Sequence, residues 1–161
     1  MADFNLAIPT VLQHEGGYVN NSDDPGSETN FGISKRFYPD VDIAALTADS
    51  AAAIYRRDFW DPLLLDSVTD QAVATKILDT CVNMGKVRGT TYLQQALNAI
   101  GAAVATDGEM GPVTIAAINA ADPQTLLAAY RQRLVNFYAA LVVERPQDGI
   151  FERGWLDRAN A

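Results

Sequence analysis

The chain has 161 residues, of which 48% are hydrophobic and 20% are charged, as in an ordinary globular domain rather than a disordered or fibrous protein. Its net charge of −8 and its pI of about 4.4 disfavour binding to nucleic acid through the phosphates, and no apolar run is long enough to span a membrane. The single cysteine, Cys81, excludes an internal disulfide, and one cysteine with one histidine disfavours a zinc site. We therefore expect neither a metal nor another cofactor.

The N-terminal segment predicts an amphipathic helix that ends at Gly16-Gly17, directly after Glu15. Pro9 lies inside this pattern and should delay the start of the helix or bend it. The apolar positions at helical spacing are Phe4, Ile8, Val11 and Leu12.

Residues 16–34 differ from the rest of the chain because they are rich in glycine, asparagine, aspartate and serine. Asp24-Pro25-Gly26 predicts a turn, since proline fixes φ and glycine accepts a positive φ. Any strands of the molecule are expected here, in a short hairpin.

After this segment, apolar residues recur at helical spacing to the end of the chain. The further helices are predicted from Thr47 to before Asp61-Pro62, from Asp70 to Gly85, from about Thr90 to Ile100, from Pro112 through Ile118, and from Pro123 to Arg145-Pro146. Phe151, Trp155 and Leu156 should dock a final turn on the core, and Cys81 should be a buried helix residue. The predicted fold is all-α, with one small β-hairpin or loop insert.

Glu15 is the first candidate for chemistry, because it closes an apolar helix at the end where the helix dipole disfavours negative charge. A carboxyl group in that position should hold its proton more tightly, as a general acid requires near neutral pH. The two glycines that follow leave space above the carboxyl group. The alternative is a solvated glutamate at a helix end.

A glycosidase needs a second group opposite the acid, to activate water or to stabilise the positive sugar ring. Asp24 lies nine positions after Glu15 and Thr29 lies fourteen after it, so a hairpin can fold both over one cleft. Asp23 is an alternative to Asp24. The competing interpretation is that both aspartates make a turn and that Thr29 is a strand residue.

Three motifs follow one another here: Glu15-Gly16-Gly17-Tyr18-Val19-Asn20, Asp23-Asp24-Pro25-Gly26 and Thr29-Asn30-Phe31-Gly32-Ile33-Ser34. Together they resemble glycoside hydrolase family 108, whose members are N-acetylmuramidases of phage endolysins and lysozyme-like proteins. Phe59-Trp60-Asp61-Pro62 and the segment 79–85 extend the likeness. From about Arg88 onward the chain resembles the family's predicted peptidoglycan-binding region, through the segments 93–97 and 107–114.

The resemblance implies a lysozyme-like fold, with residues 1–86 as the catalytic region and residues 87–161 as the peptidoglycan-binding region, packed together as one unit. It implies Glu15 as the catalytic acid, with Asp24 and Thr29 as its partners. The chain departs from the family pattern after Pro25-Gly26, where Glu28 adds a carboxylate that is either a turn residue or a rival second acid. The spacing from Asp24 to Thr29 also differs by one residue from that of phage-type lysozymes.

Aromatic and amide side chains near these motifs are candidates for binding sugars. Tyr18, Phe31, Tyr38 and Trp60 could stack on saccharide faces, and Asn30 and Asn83 could bind N-acetyl groups or a catalytic water. The alternative for Phe31 and Trp60 is a place in the core.

The sequence therefore predicts a muramidase that hydrolyses the β-1,4 bond between N-acetylmuramic acid and N-acetylglucosamine, by a retaining or an inverting course. The alternatives are a lytic transglycosylase and a non-catalytic wall-binding module. We expect a monomer whose partner is the peptidoglycan glycan strand. The N-terminal residues lack the pattern of a secretory signal, so we expect synthesis in the cytoplasm and action on the periplasmic or extracellular wall, as for a phage endolysin.

Overall fold

The computed structural model of the chain describes residues 1–20 and 28–160. In this part of the chain it contains seven α-helices and one antiparallel pair of short strands. The elements are α1 (Phe4–Glu15), β1 (Thr29–Asn30), β2 (Ile33–Ser34), α2 (Ala48–Tyr55), α3 (Gln71–Met84), α4 (Lys86–Ala99), α5 (Pro112–Ala120), α6 (Pro123–Glu144) and α7 (Glu152–Asn160). The prediction of a mainly helical fold with a small hairpin insert is confirmed.

Side-chain caps place the starts of three helices where the sequence predicts them. The Thr47 hydroxyl accepts a hydrogen bond from the Ser50 amide at the start of α2. Asp70 caps α3 and Asp122 caps α6, each through a carboxylate oxygen that accepts from a backbone amide at 2.9 Å. Such caps satisfy amides that the first helical turn leaves unpaired, so they fix where each helix begins.

Two helix starts differ from the prediction. The first helix begins at Phe4 and runs through Pro9, because Asp3 caps it by accepting from the Asn5 amide at 2.8 Å. The fourth begins at Lys86 instead of Thr90, directly after Gly85, whose φ of +87° turns the chain sharply. Helix α4 then continues through Gly89, where a Cβ atom would lie 2.6 Å from Cys81 Sγ, so this glycine lets α3 and α4 approach closely.

The central element is α3, which packs against α1, α4 and α6. Ile77, Leu78 and Cys81 on this helix are completely buried, and burial raises the pKa of the Cys81 thiol to about 12. The prediction that Cys81 is a buried helix residue is confirmed. Between α2 and α3, a π-helical turn (Arg56–Trp60) and a 3₁₀ turn (Leu65–Ser67) cover the other side of the core.

The C-terminal helix α7 returns to the middle of the molecule. Its Trp155 stacks on Tyr138 of α6, with ring centroids 5.5 Å apart and ring planes at 21°. A 3₁₀ turn (Pro146–Phe151) reverses the chain between the two helices. The predicted docking of the C-terminal residues is thus confirmed, and it brings the last turn of α7 to the end of α1. Within the described residues, no helix has both the length and the hydropathy needed to cross a membrane.

Candidate active site

Glu15 is the last residue of α1, and Gly16, with a φ of +76°, turns the chain away from it. The Glu15 side chain is 18% exposed and faces a cavity of about 440 Å³. The other residues lining this cavity are Gly32, Ile33, Ser34, Phe37, Tyr38, Tyr55, Phe59, Val82 and Gly85. Glu15 is therefore the one carboxylate among the described residues that line it, and its carboxyl group meets a largely aromatic wall.

The tip of the hairpin lies against Glu15. Phe31 and Gly32 link the paired residues Asn30 and Ile33, and both have positive φ values of 50° and 75°, as a type I′ turn requires. A positive φ is unfavourable for phenylalanine. The Tyr55 hydroxyl compensates by donating to the Phe31 carbonyl oxygen at 2.7 Å. Burial and the nearby charge of Glu15 raise the pKa of Tyr55, so this hydroxyl remains a donor.

An ion-pair cluster holds the other side of Glu15. Arg158 Nη2 donates to Glu15 Oε1 at 2.7 Å and to Asp79 Oδ1 at 2.9 Å. The Asp79 side chain is only 4% exposed and also lies 2.9 Å from His14 Nδ1. Burial lowers the pKa of Arg158, but Asp79 and Glu15 together outweigh it and raise the pKa overall. Three helices, α1, α3 and α7, therefore meet in one charged cluster behind the cavity.

A second polar network fixes the outer wall of the cavity. The Tyr38 hydroxyl donates to Asp58 Oδ2 at 2.9 Å, and burial with this carboxylate raises the pKa of Tyr38 to about 12. Lys86 Nζ donates to the Asp58 carbonyl oxygen at 2.9 Å and lies 5.8 Å from the centre of the Phe59 ring. Arg57 pairs with the Asp58 carboxylate, and this pairing holds the pKa of Asp58 below its usual value. The segment after β2 is thus tied to the end of α2 and the start of α4.

Comparison with known proteins identifies the region that carries this site. A family model described as glycosyl hydrolase 108 matches residues 8–85, which include Glu15, the hairpin and Asp79. These residues form a glycosyl hydrolase 108 domain. A model described as a predicted peptidoglycan domain matches residues 88–160 of this family 108 hydrolase.

The fold of the hydrolase is similar to a solved structure, that of Brucella abortus SagA. The TM-score is 0.74 and the sequence identity is 27%, over 97% of this chain and 88% of that chain. The search of curated proteins gave no match. The family match makes the chain a glycoside hydrolase with a mainly α, lysozyme-like fold, and the second region supports peptidoglycan as what it degrades.

Of the predicted site residues, Glu15 and Tyr38 line the cavity of the family 108 hydrolase. Thr29 lies in β1 and pairs with Val19 through two backbone hydrogen bonds, of 2.8 and 2.9 Å. Tyr18 is 49% exposed, and its hydroxyl donates to Glu28 at 3.1 Å. Glu28 therefore bonds to Tyr18 and is not among the residues that line the cavity. The predictions for Asp24 and Asp23 fall outside the described residues.

Three predicted sugar-binding side chains make contacts inside the protein. Trp60 is completely buried, its indole N–H donates to Asp66 at 2.7 Å, and its ring packs against Phe4, so it has no free face for a sugar. Asn30 is 6% exposed and donates to the Ile43 carbonyl oxygen at 3.2 Å. Phe31 packs against the core and contributes its carbonyl group to the turn. The predictions for Trp60 and Asn30 are corrected, because both side chains are buried, whereas the predicted sugar contact of the partly exposed Phe31 stays a prediction.

Asn83 also has a partner inside the protein. Its side-chain amide donates to the Tyr138 hydroxyl at 2.6 Å. It lines a second cavity of about 460 Å³ together with His14, Trp155 and Arg158, separate from the residues that surround Tyr38. Its predicted contact with an N-acetyl group stays a prediction.

Sequence analysis missed Asp79 and Arg158 as parts of the site. The apolar surroundings predicted for Glu15 are interrupted by Arg158, which lies 143 positions later in the chain. An arginine near the C-terminus carries no local signal of this contact, because the contact depends on how α7 packs on α6. Within the described residues, no cluster of His, Cys, Asp and Glu side chains is arranged to hold a metal ion.

We expect Gly32→Ala to disrupt the site of this hydrolase. A Cβ atom at this position would overlap Glu15 Oε2 and lie 2.6 Å from the Tyr55 hydroxyl oxygen, and φ is +75°. The substitution should lower the free energy of unfolding by about 2 kcal/mol, from backbone strain and overpacking. It should also lower activity at least tenfold by displacing Glu15. Urea unfolding and the rate of peptidoglycan solubilisation measure the two effects.

Gly101→Ala is the matched control for Gly32→Ala. Gly101 has a φ of +100°, but nothing lies within 4 Å of a Cβ atom there. This variant should show the cost of backbone strain alone, about 1 kcal/mol, with full activity. Equal activities for the two alanine variants would contradict the close approach of Gly32 to Glu15.

Lys76 makes stability depend on pH. It is 5% exposed, and its ammonium group donates to the Arg158 carbonyl oxygen at 2.6 Å. Burial lowers the pKa of Lys76 from 10.5 to about 8.

Between these two pKa values the unfolded chain binds more protons than the folded chain, so this lysine makes the free energy of unfolding rise with pH. From pH 7.5 to 9.5, we expect the wild type to gain about 1 to 2 kcal/mol relative to Lys76→Met. Urea unfolding of both proteins at the two pH values measures this gain. If the difference in free energy of unfolding between the two proteins were the same at both pH values, the lowered pKa of Lys76 would be contradicted.

Proposed function

We propose that this family 108 hydrolase is a muramidase, which hydrolyses the β-1,4 bond between N-acetylmuramic acid and N-acetylglucosamine in peptidoglycan with Glu15 as general acid. The observation that carries the proposal is the position of Glu15. It is the one carboxylate among the described residues lining the cavity, at the end of a helix within the region that matches the family model.

The proposed chemistry follows from what a carboxyl group at the cavity wall can do. Protonated Glu15 gives its proton to the glycosidic oxygen as the bond from that oxygen to C1 of the muramic acid breaks. Positive charge develops on the sugar ring, and water adds to C1 and loses a proton. The products are a new hydroxyl group on N-acetylglucosamine and a reducing N-acetylmuramic acid end.

Arg158 is proposed to orient the acid. Its guanidinium group holds Glu15 Oε1 at 2.7 Å, while Asp79 anchors the same guanidinium group from α3. We propose that a glycan strand entering the cavity loosens the contact between Arg158 and Glu15, so that the Glu15 carboxyl group can turn toward the glycosidic oxygen.

The second catalytic group is proposed to come from the segment between Val19 and Thr29 in the sequence. The backbones of these two residues pair with each other, and β1 then leads into the turn at Gly32 beside Glu15. Asp24 belongs to this segment of the sequence and is our candidate to activate water or stabilise the sugar cation. Thr29 remains the candidate to hold the water.

The test is to incubate the purified chain with sacculi, reduce the released fragments with borohydride and identify the reduced end. Reduced muramic acid supports the proposal. Reduced glucosamine would mean that the other glycosidic bond is cut, and a 1,6-anhydro end would mean a lytic transglycosylase. Release of no fragments by the folded chain, from sacculi that it sediments with, would leave a binding module.

We further propose that the enzyme acts as a phage endolysin, as a monomer, on wall that lies outside the cytoplasmic membrane. The location of its proposed substrate supports this site of action. The full chain expressed alone should leave a Gram-negative culture intact, whereas co-expression with a pore-forming holin should lyse it. Lysis without the holin would contradict this route.

A further inference from the structure

Phe37 is the most exposed aromatic side chain among the described residues, with 77% of its surface accessible. It lines the same cavity as Glu15. A single exposed apolar residue on a protein surface is ordinary. A phenylalanine that remains solvated beside the carboxylate of an enzyme is different, because an apolar ring in water is stabilised when a ligand covers it.

The backbone holds Phe37 in place. The amides of Phe37 and Tyr38 both donate to the Ser34 carbonyl oxygen at 3.0 Å, which forms a turn directly after β2. The Lys35 amide donates to the Glu28 carbonyl oxygen at 2.9 Å, and Lys35 Nζ donates to the Val41 carbonyl oxygen at 2.8 Å. The turn is thus fixed at both ends, so the exposed ring is presented from a defined backbone.

The other aromatic rings around the cavity are already engaged. Tyr55 bonds to the Phe31 carbonyl group and packs against Phe59, with ring centroids 5.9 Å apart. Tyr38 bonds to Asp58, and Lys86 lies over Phe59. Within the described residues, no other ring and no cation lies against the ring of Phe37. Its face is therefore available to a ligand.

We infer that Phe37 is a sugar-binding platform of the cleft, on which the apolar face of an N-acetylhexosamine ring next to the cleaved bond stacks. The inference rests on the proposed function and adds a substrate-binding residue to it. A pyranose ring presents axial C–H bonds on one face, and an aromatic ring presents a negative π face that attracts such weakly positive hydrogens. Sugar binding would also remove the exposed ring from water.

The test uses Phe37→Leu, which keeps an apolar side chain but removes the ring, and Phe37→Trp, which keeps an aromatic face. Phe151→Leu is the matched control, because Phe151 is 54% exposed but is not among the residues that line the cavity. Each substitution is made in the full chain that also carries Glu15→Gln, so that bound glycan is not cleaved. Calorimetry measures the Kd for peptide-free glycan strands prepared from sacculi with an amidase.

We expect Phe37→Leu to weaken binding about fivefold to tenfold, with little change for Phe37→Trp and none for Phe151→Leu. The thermal midpoint should stay the same in both Phe37 variants, because the ring of Phe37 has little packing to lose. An equal Kd for Phe37→Leu and Phe151→Leu, or no binding of the strands by the parent chain, would overturn the inference. Because this measurement needs no turnover, it remains informative if the bond cleaved differs from the one proposed.

Discussion

Replacing Glu15 with glutamine should lower the rate of peptidoglycan cleavage by about 10³-fold while leaving the fold intact. Glutamine has the same size, and its amide oxygen can still accept the hydrogen bond that Arg158 donates to Glu15 Oε1. It has no proton to give to a leaving oxygen. The rate of reducing-end release from sacculi measures activity, and circular dichroism during heating measures the thermal midpoint.

Glu28→Gln is the control for the Glu15 substitution. Glu28 lies in the same part of the sequence, but it accepts a hydrogen bond from the exposed Tyr18 and is not among the residues lining the cavity. Its activity should stay within about twofold of the wild type, as for a surface polar contact. If Glu15→Gln retained activity, or if it unfolded the chain, Glu15 would be a structural residue and not the acid.

The largest loss of stability is expected from Asp79→Asn. This carboxylate is buried and is shared by Arg158 and His14, and the substitution leaves the guanidinium group of Arg158, whose side chain is 15% exposed, with the charge of Glu15 but not that of Asp79. Removing one partner of a buried ion pair should lower the free energy of unfolding by about 3 kcal/mol. Urea unfolding at pH 7 measures it. Activity should also fall, because Arg158 loses the anchor that holds it beside Glu15.

Two further variants separate this explanation from a general effect of removing a carboxylate. Asp61→Asn breaks a pair with Arg56 in which both side chains are about half exposed, so it should change stability by less than about 0.5 kcal/mol. Asp79→Asn combined with Arg158→Gln removes both charges and should be more stable than Asp79→Asn alone. Additive losses in the double variant would argue against the buried cluster.

Much of the fold could be predicted because the helices depend on local signals. Thr47, Asp70 and Asp122 are caps whose side chains bond to amides a few residues away, so their effect is visible in the sequence. The hairpin insert was also predictable from its glycines and polar residues. The start of α4 was not, because Gly89 lies inside that helix to allow a close approach to Cys81, a tertiary contact.

The candidate site was predictable where it depends on α1 and on the turn that follows. Glu15 could be located because apolar periodicity and two glycines mark the end of its helix. Arg158 could not, because it reaches Glu15 only after α7 folds back on α6. Which aromatic residues can contact a sugar depends on their burial, which residue type alone does not predict. Trp60 is completely buried, whereas Phe37 remains exposed.

The most direct test of the account is cleavage of sacculi in water enriched in ¹⁸O, followed by mass spectrometry of the released fragments, for the wild type and for Glu15→Gln. Hydrolysis places one oxygen from water on C1 of N-acetylmuramic acid. We therefore predict fragments whose N-acetylmuramic acid end carries one ¹⁸O, formed by the wild type and lost in the variant. Unlabelled 1,6-anhydro ends, or labelled fragments formed equally fast by Glu15→Gln, would contradict a muramidase that uses Glu15 as its acid.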